Sequence, residues 1–134
     1  MNEIGQFIKR ANEKYIVGKN TLNLGYFGDA VSSFYYSMLF AANALLLIKN
    51  KNPKTHKWTL INFGKELVLN DDFDKNIAKY LSQAETLREK VDYDAFIFVS
   101  ENIANKKKKQ CEEFLRETNK ILKKYNLEEV IIDI

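Results

Sequence analysis

From Val31 to Ile48 the chain reads VSSFYYSMLFAANALLLI, 18 residues without a charge. A stretch of that kind has two physical solutions. It can cross a bilayer, for which it reaches the lower length limit, or it can be a helix that other helices bury on most sides. Ser32, Ser33, Tyr35, Tyr36, Ser37 and Asn43 leave it only moderately apolar, which favours the buried helix and no membrane association. Ala30, Phe34, Met38, Ala41, Leu45 and Ile48 recur at helical spacing, and Tyr35, Leu39, Ala42 and Leu46 form a second stripe. A helix with two apolar stripes contacts neighbours on two sides, so the rest of the chain has to supply them.

The composition supplies helices. One Pro and five Gly in 134 residues are too few for a sandwich of short strands, and 46% hydrophobic residues can build a core. A first helix is expected over about Glu3–Leu22, and the break at Gly25–Asp29 offers Asp29 as N-cap for a second helix over about Ala30–Lys49. Pro53 ends that helix in the Lys49–His56 loop, where Thr55 can cap a third over about His56–Leu69, which contains Gly64. After the Asn70–Asp74 turn a fourth helix runs to about Val91, with Phe73, Ile77, Leu81, Ala84, Leu87 and Val91 on one face. Asp92–Ser100 is ambiguous, because Ala95–Val99 also suits an extended segment. Ser100 caps a fifth helix to about Tyr125, with Ile103, Phe114, Leu115, Ile121 and Leu122 expected in the core. Short connections make sequential helices antiparallel, so the expected fold is all-α, an antiparallel up-and-down bundle of four to five helices. The bundle is expected over residues 1–125, with a short β-prone C-terminal tail over 126–134 whose packing is left open.

Several chemistries are excluded by what is missing. There is no glycine-rich phosphate loop of Walker or Rossmann spacing. One Cys and one His cannot make a structural zinc site, and no Glu-x-x-His is present for a carboxylate di-metal centre, so neither metal nor cofactor is expected. Cys111, in a helical context, reads as a packing residue of a reducing, cytoplasmic compartment, and the charged N-terminus has no apolar signal region. The net charge is +3, with lysines concentrated at Asn105–Gln110 and Asn119–Tyr125, compatible with a polyanion but also with a solvated helix face.

The densest polar stretch is Leu87–Phe96, LREKVDYDAF. On a helix of about 3.6 residues per turn, Glu85 and Asp92 flank Arg88 on its own face. Taken alone this is an ion-pair ladder. Tyr93 lies roughly 140° around a straight helix from Arg88. The two share a site only if the helix ends or kinks between them, or if a second subunit brings equivalent residues together.

Four elements then occur in order: Ala30–Met38 (AVSSFYYSM), the Pro-Lys-Thr-His loop at Pro53–His56, Phe63-Gly64, and Arg88-x-x-x-Asp92-Tyr93. Together they resemble the HEPN superfamily, and more narrowly its small stand-alone prokaryotic members, over about Gly25–Asn119. The resemblance implies a helical bundle that forms a homodimer. It also implies membership of a toxin–antitoxin pair with a minimal nucleotidyltransferase partner, and metal-independent endoribonuclease chemistry. The family signature is an Arg followed after four to six residues by a His. The histidine deprotonates a ribose 2′-OH while the Arg holds the phosphate.

Arg88 matches the family Arg, but the positions for the His are Tyr93, Asp94 and Ala95. A tyrosine, with an ordinary pKa near ~10, is a poor general base at neutral pH. His56, the only histidine, lies in the matching loop and can line the groove near Arg88. Tyr93 is near the place where a partner nucleotidyltransferase transfers AMP in related toxins. The expectation is therefore a HEPN protein of a two-component system that binds nucleotide, RNA or a nucleotidyltransferase, with weak or absent cleavage. Two alternatives stand beside it: an active endoribonuclease using Arg88 with Tyr93, Asp92 or His56, and a non-catalytic helical adaptor.

Overall fold

A computed structural model of the chain describes residues 2–70, 72–128, 132 and 134. Five α-helices follow one another: α1 (Glu3–Asn23), α2 (Phe27–Ile48), α3 (His56–Phe63), α4 (Lys75–Tyr93) and α5 (Glu101–Lys124). A π-helical turn, Gly64–Val68, continues α3. No strand occurs among the described residues.

The uncharged stretch forms α2, with both of its stripes buried: Phe34, Tyr35, Met38, Leu39, Ala42, Leu45 and Leu46 are all inaccessible. Full burial of a side chain of the larger kinds is worth roughly 1.5–3 kcal/mol. Its polar groups are answered inside the core. Ser37 Oγ donates to the Ala11 carbonyl at 2.7 Å, and Thr59 Oγ1 donates to Asn43 Oδ1 at 2.7 Å. The helix is long and apolar enough to span a membrane, but most of it is buried within the fold.

The other long helices run around it in alternating directions. Phe34 lies against Gly18, and Phe40 further along α2 lies against Phe7 and Arg10 earlier in α1, so α1 and α2 are antiparallel. Arg88 of α4 meets Tyr35 while Val91 lies against Gly28, so α4 is antiparallel to α2. Tyr80 donates to Glu113 at 2.9 Å, and the Asp74 amide donates to Glu117 at 3.0 Å, which makes α5 antiparallel to α4. The result is an up-and-down bundle with α3 as a short crossing piece. Phe63, Phe73 and Phe114 close its base, with ring centroids 4.8–5.6 Å apart. At the same end Lys49 and Lys124 donate to Asp72 and hold its carboxyl below the ordinary range. That ties the turn before α4 to the ends of α2 and α5.

Caps follow the local sequence where the cap is a side chain. Asn2, Thr55, Asp74 and Ser100 accept from the amides of Gly5, Trp58, Ile77 and Ile103 respectively. Helix α2 departs from expectation. It starts at Phe27 after Gly25 turns the chain at φ 86°, and Asp29 sits in its first turn instead of capping it. Helix α3 does not run uniformly to Leu69, because the chain widens into the π turn at Gly64. Helix α4 continues past Val91 to Tyr93, and Ala95–Val99 is a loop, not a strand. Ile103 is 39% exposed, because it is out of phase with the buried Ala104–Cys111–Leu115 stripe. Cys111 is fully buried, and burial pushes its thiol up to about 12. In the tail, the Asn119 side chain exchanges hydrogen bonds of 2.9 and 3.0 Å with the backbone of buried Ile132. The β-prone run at Glu129–Ile131 and Asp133 lies outside the described residues.

The α1–α2 contact depends on Gly18, where an added Cβ would sit 2.5 Å from Phe34 Cε1. Gly18→Ala is expected to destabilise the fold by about 1–3 kcal/mol through overpacking, measured as a drop in urea midpoint at unchanged m-value.

Candidate functional site

Arg88 lies on the α4 face turned to α2. One turn earlier Glu85 accepts from Nη2, and one turn later Asp92 accepts from Nη1 at 2.9 Å. The spacing that makes an ion-pair ladder on paper is realised, but not as a solvated one: the Arg88 and Glu85 side chains are each only 11% exposed. Beneath the guanidinium are two rings of α2. Arg88 Cζ is 5.2 Å from the Tyr35 ring centre and 5.9 Å from that of Tyr36. Burial works against the charge of Arg88, but Asp92 and Glu85 outweigh it and push its pKa above the ordinary arginine value. Among the described residues, Glu85 Oε2 and Arg88 Nε are buried without a hydrogen-bond partner.

His56 comes to this cluster from a different element. Pro53 lies in the loop after α2, and Thr55 caps α3, so His56 is its first residue. The His56 ring packs edge-on to Tyr36 and Tyr35, with centroids 5.7 and 6.1 Å away. Its Nδ1 is 3.5 Å from the Tyr35 hydroxyl, at the outer limit of a hydrogen bond. Burial, and then the neighbouring Glu85 carboxylate, pushes the Tyr35 phenol above its ordinary range, so Tyr35 stays a protonated donor. An open cavity of about 400 Å³ adjoins the cluster, lined by Thr55, His56, Lys57, Leu60, Glu85 and Arg88 with Glu89. On the far side Lys14 of α1 stands 5.8 Å over the Tyr36 ring.

Of the four residues the sequence singles out, the fold thus brings three together: Arg88, Asp92 and His56. Tyr93 is not one of them. Helix α4 neither kinks nor ends between Arg88 and Tyr93, and Tyr93 is 83% exposed. It opens a run of uncovered aromatic residues in which Phe96 is 95% and Phe98 81% exposed. Tyr35 and Tyr36 are the site residues that periodicity conceals, since they read as part of a packing stripe. Their one signal is a pair of adjacent phenols in a helix whose other large side chains carry no hydrogen-bonding group, so that their hydroxyls need partners once buried.

Comparison with known proteins shows the family. The HEPN domain family model matches residues 4–128. A Methanocaldococcus jannaschii protein named "Putative toxin MJ0142" is 33% identical over 125 residues, covering 93% of this chain and 85% of the relative. A UPF0332 protein of Archaeoglobus fulgidus is 32% identical over 127 residues, 92% of this chain and 98% of its own. The chain belongs to the HEPN family, and the two relatives place it beside a toxin-named and an unassigned archaeal member.

Removing Arg88 strands Glu85 in a site with little water. Arg88→Ala is therefore expected to lower stability by roughly 3 kcal/mol, and Arg88→Lys by less. Chemical denaturation of both variants, with Glu85→Ala and the double variant to close the cycle, measures the coupling.

Proposed function

We propose that this toxin-like HEPN protein is one component of a cytoplasmic two-component system, and that the cavity between α3 and α4 binds the sugar-phosphate of RNA or a nucleotide. The observation that carries this reading is the position of His56, which stands on the Tyr35–Tyr36 platform that also supports Arg88. The signature histidine missing after Arg88 has a counterpart from another helix. Arg88 offers a fixed cation, Lys57 adds a second at the cavity rim, and the His56 ring provides an exposed face for a base or ribose.

Binding is favoured over efficient cleavage. Glu85 and Asp92 already neutralise Arg88, so a phosphate has to compete with carboxylates for the guanidinium. Cleavage by Arg88 with His56 is the second reading, favoured by their shared platform; within one chain Tyr93 stands apart from it. The test is metal-free incubation, in excess chelator, with a mixed RNA, together with RNA binding by anisotropy. Wild type, Arg88→Lys, His56→Ala and Tyr93→Phe are compared, each checked for folding. Binding is expected to fall about tenfold or more with Arg88→Lys and His56→Ala and to hold with Tyr93→Phe. Equal binding by all four proteins rejects the site, and wild-type cleavage that both Arg88→Lys and His56→Ala lose while Tyr93→Phe keeps it would favour the ribonuclease reading.

The same proposal includes a homodimer, with a minimal nucleotidyltransferase as the further partner. The uncovered aromatic run Tyr93, Phe96 and Phe98 is a surface of the kind that partner chains bury. Phe96→Ser with Phe98→Ser is expected to yield a monomer by light scattering, without loss of melting temperature. A wild type already monomeric at high concentration would remove the dimer from the reading.

A further inference from the structure

A second groove, of about 270 Å³, runs between α3 with its π turn and α4, on the side of Leu60 away from His56. Its walls are mostly carbon, Leu60, Phe63 and Val68 on one side and Ala78 and Leu81 on the other, with Ser82 the one hydroxyl. Lys75 and Lys79 stand along its rim, both exposed, and neither makes an ion pair with a described residue.

Gly64 lines this groove, and the fold does not need a glycine there. Its φ and ψ, −59° and −46°, suit any residue, and an added Cβ would meet nothing within 4 Å. Glycine is a poor helix former, and this one opens a π turn, a distortion common at functional sites. What the missing side chain does is leave the groove open.

We infer that this groove docks an acidic, amphipathic helical segment of a partner protein. The apolar walls suit aliphatic side chains and offer no free ring face for a base, since Phe63 is buried. Lys75 and Lys79 are one helical turn apart, so they match carboxylates spaced one turn apart on an opposing helix. No sheet edge exists among the described residues for an extended peptide to join. The groove is separate from the His56–Arg88 cavity, and the inference does not rest on nucleotide binding there.

The test selects binders from a display library of random amphipathic helices against the full chain. Selected peptides are then titrated against wild type, Gly64→Leu and Lys75→Glu/Lys79→Glu. The expected peptides combine glutamate or aspartate with leucine, isoleucine or phenylalanine at helical spacing. Their affinity should fall about tenfold or more in both variants, while Gly64→Leu melts at or above the wild-type temperature. Peptides with lysine in place of their acids should bind the Lys75→Glu/Lys79→Glu protein instead. Failure to select a binder, selection without acidic preference, or affinity unchanged by both variants overturns the inference.

Discussion

Everything in this fold answers to the burial of α2. A helix with two apolar stripes and no charge beyond its first turn cannot sit at a bundle's edge, so α1, α4 and α5 must each turn an apolar face to it. They do so through Ile8–Ala11–Tyr15 on α1, Leu81–Ala84 on α4 and Phe114–Leu115–Leu122 on α5. The two polar groups at its centre, Ser37 and Asn43, take their partners from the Ala11 backbone and from Thr59. Each of these bonds joins different elements. The polar residues within the apolar run of α2 are thus the ones that fix where its neighbours stand.

The candidate site is a consequence of that packing. Tyr35 is wholly buried, yet its hydroxyl must emerge somewhere polar, and it does so between the start of α3 and the middle of α4. Arg88 rests on the rings and is held at both ends by carboxylates of its own helix. The two carboxylates differ in burial: the Asp92 side chain is 39% exposed and that of Glu85 11%. Of the two, Asp92 holds the more solvated charge, while Glu85 lines the cavity beside Arg88 and is the carboxylate that the proposed anion would meet there.

How much of this could be read in the chain follows from the range of each interaction. Helix number, order and apolar faces depend on periodicity, and the caps at Thr55 and Ser100 depend on bonds three residues long, so both were legible. Asp29 failed as a cap because the turn before α2 is made by Gly25, one residue type in the left-handed region, and not by a side-chain acceptor. The π turn at Gly64 leaves no mark in a pattern that only counts spacing. At the site, Glu85–Arg88–Asp92 was visible as a local ladder, but its burial was not. His56 reaches the Arg88 cluster across more than thirty residues of chain, and nothing local specifies that meeting. Tyr93 was drawn toward Arg88 by proximity in sequence, and the uninterrupted helix keeps it away.

The exposed aromatic run and the Arg88 cluster are joined by one residue step, from Asp92 to Tyr93. If the proposed partner chain that covers Tyr93, Phe96 and Phe98 also reaches the neighbouring face of α4, it would remove water from around Asp92, whose side chain is 39% exposed. Desolvation of this kind strengthens the Asp92–Arg88 attraction when the pair stays intact, because the local dielectric falls. It would then be harder for an anion to displace Asp92, and Arg88 would be less available. A partner that supplied its own cation to Asp92 would have the opposite effect and release the guanidinium. Under the proposed function, occupancy of the aromatic end and anion affinity at Arg88 would then be coupled through a single carboxylate, with a sign set by the charge that the covering chain brings to it.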